Sequence, residues 1–124
     1  MSIDNITGLI EELGKDHKER SIAQKQLVEM GEIAVEPLIA VMLTENGRSC
    51  WVAAQTLGKL KDPRSIQPLI SVLLSENQLL GSAAATALSS YGDDDVAIQL
   101  VKALPDARII VQQTIIKLLQ ELND

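Results

Sequence analysis

The chain is poor in the residues from which several common folds and sites are built. Its 124 residues include one cysteine, one histidine, one tryptophan, one tyrosine and no phenylalanine. A single cysteine excludes an internal disulfide and a thiolate metal cluster. So few aromatic residues disfavour an all-β sandwich or barrel. One histidine, without a Gly-x-Ser-x-Gly turn, leaves no Ser-His-Asp set, so we predict no catalytic triad.

Other features that the sequence lacks are those of membrane, secreted and nucleic-acid-binding proteins. No apolar run approaches the roughly 20 residues of a membrane span, and the N-terminus lacks the basic and apolar segments of a signal peptide. The formal net charge is −6 without a basic stripe, so nucleic acid and anionic membranes are poor partners. Since 46% of the residues are apolar, we expect a packed core. We predict a soluble, cytoplasmic protein with a single domain, 1–124.

An internal repeat is the clearest positive feature of the sequence. Three segments align, AQKQLVEMG, AAQTLGKLK and AATALSSYG, and their central leucines are 30 and 31 residues apart: Leu27, Leu57 and Leu88. A second set of leucines, about ten residues later, is spaced by 31 and 31: Leu38, Leu69 and Leu100. Two registers that share one period indicate a structural repeat rather than chance.

Each repeat has the features of two helices. Ser49 is placed to cap a first helix, and Asp62-Pro63 is a strong start signal for a second one. Across the chain we predict helices over 3–14, 17–30, 33–44, 48–60, 63–76, 78–91, 94–104 and 107–122. Units of this size bury their apolar sides only by stacking. The predicted fold is therefore all-α, an α-solenoid of about four two-helix repeats with a period near 31 residues.

The second repeat, AAQTLGKLKDPRSIQPLISVLLSEN, resembles the HEAT-like repeats of the phycobilisome-lyase type. In that family a hydrophobic-Ala-Ala-x-x-Leu-Gly helix is followed by Asp-Pro and a Pro-Leu-Ile helix. The resemblance covers 17–122, although GEIAVEP and GDDDVAI replace the Asp-Pro turn in the first and third repeats. It implies a HEAT/armadillo-like superhelix in which the second helix of each pair lines the inner, concave side.

Three features suggest chemistry, and each has a simpler interpretation. His17 is a possible general base or part of a solvated helix start. Cys50 is a possible nucleophile or tetrapyrrole ligand, or a small buried hydrophobe beside Trp51. The acidic run 93–95 suggests a hard cation, or caps a helix N-terminus. We favour the simpler interpretation throughout, predict no catalytic residue and no metal, and keep Trp51 as a possible binding anchor.

The repeat register predicts which residues share a surface. On the second helices, three sets of equivalent positions lie opposite the core leucines: Glu36, Gln67 and Ile98; Ala40, Ser71 and Lys102; Leu43, Leu74 and Pro105. The last set is apolar, so it forms a partner site or packs beneath the loops between repeats. Glu36, Glu45 and Glu76 border it and favour a partner with basic groups at its rim. The predicted partner-binding residues are Glu36, Ala40, Leu43, Trp51, Gln67, Ser71, Leu74, Ile98 and Lys102.

These observations favour a non-enzymatic scaffold or adaptor that binds another protein and needs no cofactor. The alternative, implied by the family resemblance alone, is a phycobilin lyase subunit or a chaperone for bilin or phycobiliproteins, with bilin as its cofactor. Ile109 and Ile116 lie seven residues apart on a flank of the last helix. They indicate a homodimer through that helix, a contact with another protein, or packing against the previous helix pair.

Overall fold

The computed structural model of the chain describes residues 3–44, 48–75, 77–92, 94–106 and 109–123. Within these ranges the regular structure is helical and contains no strand. The α-helices are α1 (Ile3–Glu12), α2 (His17–Met30), α3 (Val35–Thr44), α4 (Arg48–Leu60), α5 (Ile66–Leu73), α6 (Gln78–Ser89), α7 (Asp94–Ala103) and α8 (Ile109–Asn123). Three short 3-10 helices join them: Gly31–Ala34, Pro63–Ser65 and Leu104–Asp106. None of the described helices combines the length and apolar character that a bilayer crossing requires.

The helix boundaries agree closely with the predicted ones, and two differences have local causes. α3 and α5 begin later than predicted because the chain enters each of them through a 3-10 turn. Asp62 caps the second of these turns, since its Oδ1 accepts a hydrogen bond from the backbone N–H of Arg64 at 2.9 Å. Pro63 follows as the first residue, where its missing N–H needs no partner. Ser49 does not cap α4 as predicted, because the helix already includes Arg48.

The helices pack in series, as the repeat predicts. The first helices contact one another in the order α2, α4, α6, α8, and the second helices in the order α3, α5, α7. The main pairs are α1 on α2, α3 on α4, α5 on α6 and α7 on α8, so each second helix packs on the helix that follows it rather than on the first helix of its own repeat. The leucines of both registers are fully buried: Leu27, Leu38, Leu57, Leu69, Leu88 and Leu100. The fold is an all-α solenoid, which confirms the predicted class.

Small residues allow α4 and α6 to approach closely. A Cβ atom on Gly58 would lie 2.8 Å from both the Cα and the Cβ of Ala87, so the two backbones meet at this point. The Ser90 hydroxyl donates to the carbonyl oxygen of Gly58 at 2.9 Å. Nearby, the Tyr91 hydroxyl donates to the carbonyl oxygen of Asp62 at 2.8 Å. Close packing and hydrogen bonds thus join residues about one repeat apart.

The turn that follows each first helix uses a left-handed residue. Gly31, Lys61 and Gly92 occupy equivalent positions in the three aligned segments, and their φ angles are 70°, 54° and 63°. Glycine adopts positive φ readily, whereas a residue with a side chain loses about 1–2 kcal/mol in this region. Lys61 is therefore the strained member of the set.

Lys61→Gly should raise the free energy of unfolding by about 0.5–1 kcal/mol. The strain that it relieves exceeds the stability lost through the greater freedom of glycine in the unfolded chain, about 0.5–1 kcal/mol. Urea denaturation measures the change. Lys59→Gly is the matched control: it removes the same side chain inside α4 and should lower stability by about 1 kcal/mol. Equal losses of stability in the two variants would contradict the positive φ angle of Lys61.

Ser65 is a buried polar residue whose hydroxyl has no hydrogen-bond partner among the described residues. It occupies the N-cap position of α5 but makes no capping hydrogen bond with its side chain. The equivalent residue one repeat earlier, Ala34, is also fully buried, so a methyl group fits this position. The hydroxyl of Ser65 therefore has a desolvation cost without a compensating bond.

We expect Ser65→Ala to raise the free energy of unfolding by about 1 kcal/mol, because it removes an unsatisfied buried donor. Asp62→Ala, three residues earlier, should have the opposite effect and lower it by about 0.5–2 kcal/mol, since that side chain does cap. Both changes can be measured by thermal unfolding. A clear loss of stability in Ser65→Ala would show that the hydroxyl is paired.

Candidate functional site

Seven of the nine predicted partner-binding residues are exposed on the neighbouring helices α3, α5 and α7. We call this surface the second-helix face, and it consists of Glu36, Ala40, Leu43, Gln67, Ser71, Ile98 and Lys102. These residues face outwards because the helix sides that carry Leu38, Leu69 and Leu100 are buried in the core. The structure therefore brings together the positions that the register predicted to be equivalent.

Polar contacts join adjacent repeats on the second-helix face. The Gln67 side-chain amide donates to the Gln99 side-chain oxygen, which links α5 to α7. Arg64 forms an ion pair with Glu36 at 3.6 Å and donates to the carbonyl oxygen of Glu32 at 3.2 Å, which links the start of α5 to α3. These contacts join residues of adjacent repeats on the same face.

Arg64 is itself oriented by Asp62. Its Nε and Nη2 atoms donate to the two carboxylate oxygens at 3.1 and 3.0 Å. The side-chain hydrogen bonds from Arg64, followed by the backbone one, lower the pKa of Asp62 below its ordinary value. The resulting stabilisation is present above that ordinary value and is lost as the pH falls through the lowered pKa. Because the pair is exposed, it contributes little to stability, and its main effect is to direct Arg64 towards Glu36.

Acidic side chains line the edge of the second-helix face at which α3 and α7 begin. Glu32 is exposed in the 3-10 turn before α3, and Glu36, which pairs with Arg64, is exposed in the first turn of α3. Asp94 and Asp95 are exposed in the first turn of α7. Negative charge near a helix N-terminus complements the helix dipole. It also favours a partner that carries basic groups at its rim. The other two acidic residues predicted to border the site, Glu45 and Glu76, lie outside the described residues.

Leu74 and Trp51 are half-buried, whereas the other seven predicted partner-binding residues are exposed. Leu74 is half-buried and packs against the core, so it is not among the exposed residues of this face. Trp51 is also half-buried and packs against the core, and the Arg20 guanidinium of α2 lies 5.5 Å from its ring centre. Because Trp51 is on α4 and contacts α2, the structure does not bring it to the second-helix face.

The residues considered for chemistry are not assembled into a reactive centre. Cys50 is buried, and its thiol donates to the carbonyl oxygen of Val41 at 3.8 Å. His17 is exposed and lies 3.1 Å from a guanidinium nitrogen of Arg20. Asp94 and Asp95 belong to the first turn of α7, whereas the first residue of the acidic run lies outside the described residues. In the part of the chain that the structure describes, no group of three or more His, Cys, Asp or Glu is placed to hold a metal ion.

Val101 is an exposed apolar residue that the sequence analysis missed. Its equivalents in the two preceding repeats, Ile39 and Ile70, are 9% and 4% exposed, whereas Val101 is 53% exposed. A spacing of 31 residues equates the three positions, so the repeat alone predicts that all are buried. The sequence offered one signal: α7 is the last of the second helices, so no further second helix among the described residues lies beyond Val101.

Comparison with known proteins identifies the repeat. A family model described as HEAT repeats matches residues 35–120. The match runs from α3 to α8 and includes every residue of the second-helix face. The comparison with curated proteins gives no match.

Proposed function

The chain belongs to the HEAT repeat family, and on this basis we propose that it is a non-enzymatic scaffold or adaptor that binds another protein on the second-helix face. HEAT repeats commonly serve as protein-interaction scaffolds. The observation that carries the proposal is the exposure of Leu43 and Ile98 on a face whose other members are polar or small. Exposed apolar side chains within a polar surround are typical of interaction sites. A cytoplasmic location is part of the proposal.

The chemistry of the second-helix face indicates the kind of partner. Leu43 on α3 and Ile98 on α7 offer apolar contacts, and Ala40 on α3 and Ser71 on α5 are small exposed side chains. The acidic edge at the start of α3 and α7 favours basic groups on the partner. We expect the bound surface to present apolar side chains flanked by Lys or Arg.

The test is capture of partners from a native cell extract by the tagged 124-residue chain and by two variants. Leu43→Ser/Ile98→Ser should lose the captured protein. Ile22→Ser, which changes a residue of similar exposure on α2, should retain it. Retention by the double variant, or equal loss by the control, would contradict the assignment of this face. Leu74 is left unchanged because it packs against the core, so altering it would confuse unfolding with lost binding.

The bilin-lyase or bilin-chaperone alternative has only the family resemblance in its support. The one thiol of the chain, Cys50, is buried and therefore not placed to receive a bilin. Mixing the protein with bilin, with and without a phycobiliprotein, and recording the visible absorption spectrum tests this alternative. A change in the spectrum would support it over the scaffold.

A further inference from the structure

A groove of about 570 Å³ lies between the first helices α4 and α6. Gly58 and Ala87, the small residues at which the two helices meet, are its buried members. The other described residues that line it are polar and exposed: Gln55, Lys59, Lys61, Thr86 and Ser90. We call this site the α4–α6 groove. Its volume lies within the range of about 300–1,000 Å³ that ligand sites usually have.

The charge of the α4–α6 groove is opposite to that of the chain as a whole. Among the described residues that line it, the charged ones are Lys59 and Lys61. The neighbouring grooves are mixed, since the one between α2 and α4 includes Glu29 and the one between α6 and α8 includes Glu121. The chain carries a formal net charge of −6, so a groove with basic groups alone is an exception in it. This charge favours an acidic ligand.

Lys61 occupies a position at which glycine fits the backbone better. Gly31 and Gly92 hold the equivalent positions in the other two aligned segments, and all three residues have a positive φ. The side chain of Lys61 makes no hydrogen bond or ion pair with another described residue. Backbone strain of this kind is concentrated at functional sites. Placing an ammonium group beside the α4–α6 groove is a use that accounts for a side chain here.

Lys59 also has donors left for a ligand. Its Nζ donates to the side-chain oxygen of Gln24 at 3.4 Å, across the boundary between α2 and α4. An ammonium group has three N–H donors, so two of them remain. The groove therefore offers two cationic donor groups to a carboxylate.

The hydroxyl groups on the α6 side of the groove act in the opposite sense. Thr86 donates to the carbonyl oxygen of Ser82 at 3.1 Å, and Ser90 donates to that of Gly58 at 2.9 Å. A hydroxyl has one proton and two lone pairs, so each of these groups retains the capacity to accept. They suit a ligand that has N–H groups as well as carboxylates.

We propose that the α4–α6 groove binds a short acidic segment of a partner protein in an extended conformation. Lys59 and Lys61 bind its Asp or Glu carboxylates, and Thr86 and Ser90 accept hydrogen bonds from its backbone N–H groups. A peptide segment supplies both kinds of group, whereas the phosphodiester backbone of a nucleic acid supplies no donor.

The acidic residues of the neighbouring grooves limit the length of such a segment. A long polyanion that extended beyond the α4–α6 groove would meet Glu29 on one side or Glu121 on the other. A segment with two or three acidic side chains stays within the basic groove. The site differs in this from the second-helix face, whose acidic edge favours a basic partner.

The test is an NMR titration of the ¹⁵N-labelled 124-residue chain with three pools of capped seven-residue peptides. The pools share one random composition and differ at two fixed positions, which hold Glu, Gln or Lys. The Glu pool should shift the backbone amide resonances of Lys59, Lys61 and Ser90, and the other two pools should leave them unchanged. A single-stranded oligonucleotide is the fourth probe and should shift them less than the Glu pool does.

Two variants show whether the lysines of the groove are responsible. Lys59→Gln/Lys61→Gln should weaken binding of the Glu pool at least about tenfold, because it removes the charge-assisted hydrogen bonds. Lys25→Gln/Lys117→Gln is the matched control: it makes the same change of charge at exposed residues of the neighbouring grooves and should bind as the wild type does. Circular dichroism establishes that both variants retain their helices.

Three results would overturn the proposal. They are the absence of any shift with the Glu pool at millimolar concentration, an equal response to another pool or to the oligonucleotide, and equal weakening of binding in the control variant. The proposed function is tested separately, because capture of a partner on the second-helix face depends on Leu43 and Ile98 rather than on Lys59 and Lys61.

Discussion

Leu57→Ala should lower the free energy of unfolding by about 2–5 kcal/mol. Leu57 is fully buried in α4, and the substitution removes its contacts and leaves a cavity that the surrounding helices fill only in part. α4 is packed against α2, α3 and α6. A cavity at this position should therefore weaken the packing of α4 against its neighbours, and the loss should spread to the adjacent repeats.

The control for this prediction is Leu79→Ala, which makes the same chemical change on the exposed side of α6. It should alter stability by no more than about 0.5 kcal/mol, as surface substitutions usually do. Urea denaturation of both variants measures the difference. If Leu79→Ala were the more destabilising change, the core and the surface would have been assigned the wrong way round.

Gly58→Ala should destabilise the protein by about 1–3 kcal/mol, although alanine is the better helix former. Replacing a glycine inside a helix by alanine usually adds about 1 kcal/mol of stability. At Gly58 the new methyl group would meet the Cα and Cβ atoms of Ala87 at 2.8 Å. Because part of that obstacle is backbone, α4 and α6 must move apart, and the cost of overpacking exceeds the gain in helix propensity.

Gly8→Ala gives the opposite expectation and serves as the matched control. Gly8 lies inside α1, and a Cβ atom placed on it would meet no other group within 4 Å. Only the propensity gain remains there, so stability should rise by about 0.5–1 kcal/mol. Thermal unfolding distinguishes the two signs. Stabilisation by both substitutions would show that α4 and α6 are further apart than described.

The repeat allowed the helices and the core to be predicted because stacking imposes one environment on equivalent positions. Leu57 and Leu69 recur with a fixed period because each must fill the same space between helices. The 3-10 turn before α5 escaped prediction because Asp62-Pro63 marks the start of a helical segment without specifying its type. The predicted capping role of Ser49 was wrong for a similar reason: Ser49 is a good capping residue, but it lies one position inside α4.

The candidate site was less predictable, because exposure depends on what lies next to a residue in space. Val101 has the same register as Ile70, yet it is exposed, and no further second helix lies beyond α7 among the described residues. Trp51 attracted attention as the only tryptophan, yet its position on α4 separates it from the second-helix face. The identity of a partner is determined by the partner's surface as well, and therefore requires an experiment.

The stacking of residues one repeat apart is the central claim, and NOE spectroscopy of the isotopically labelled protein tests it most directly. The Hα protons of Gly58 should give strong cross-peaks to the methyl protons of Ala87, since a Cβ atom on Gly58 would lie 2.8 Å from that methyl carbon. The ring of Tyr91, the only tyrosine, should give cross-peaks to Asp62, whose carbonyl oxygen accepts its hydrogen bond. Both sets of cross-peaks are predicted. Their absence from a spectrum in which all four residues are assigned would contradict the stacked arrangement.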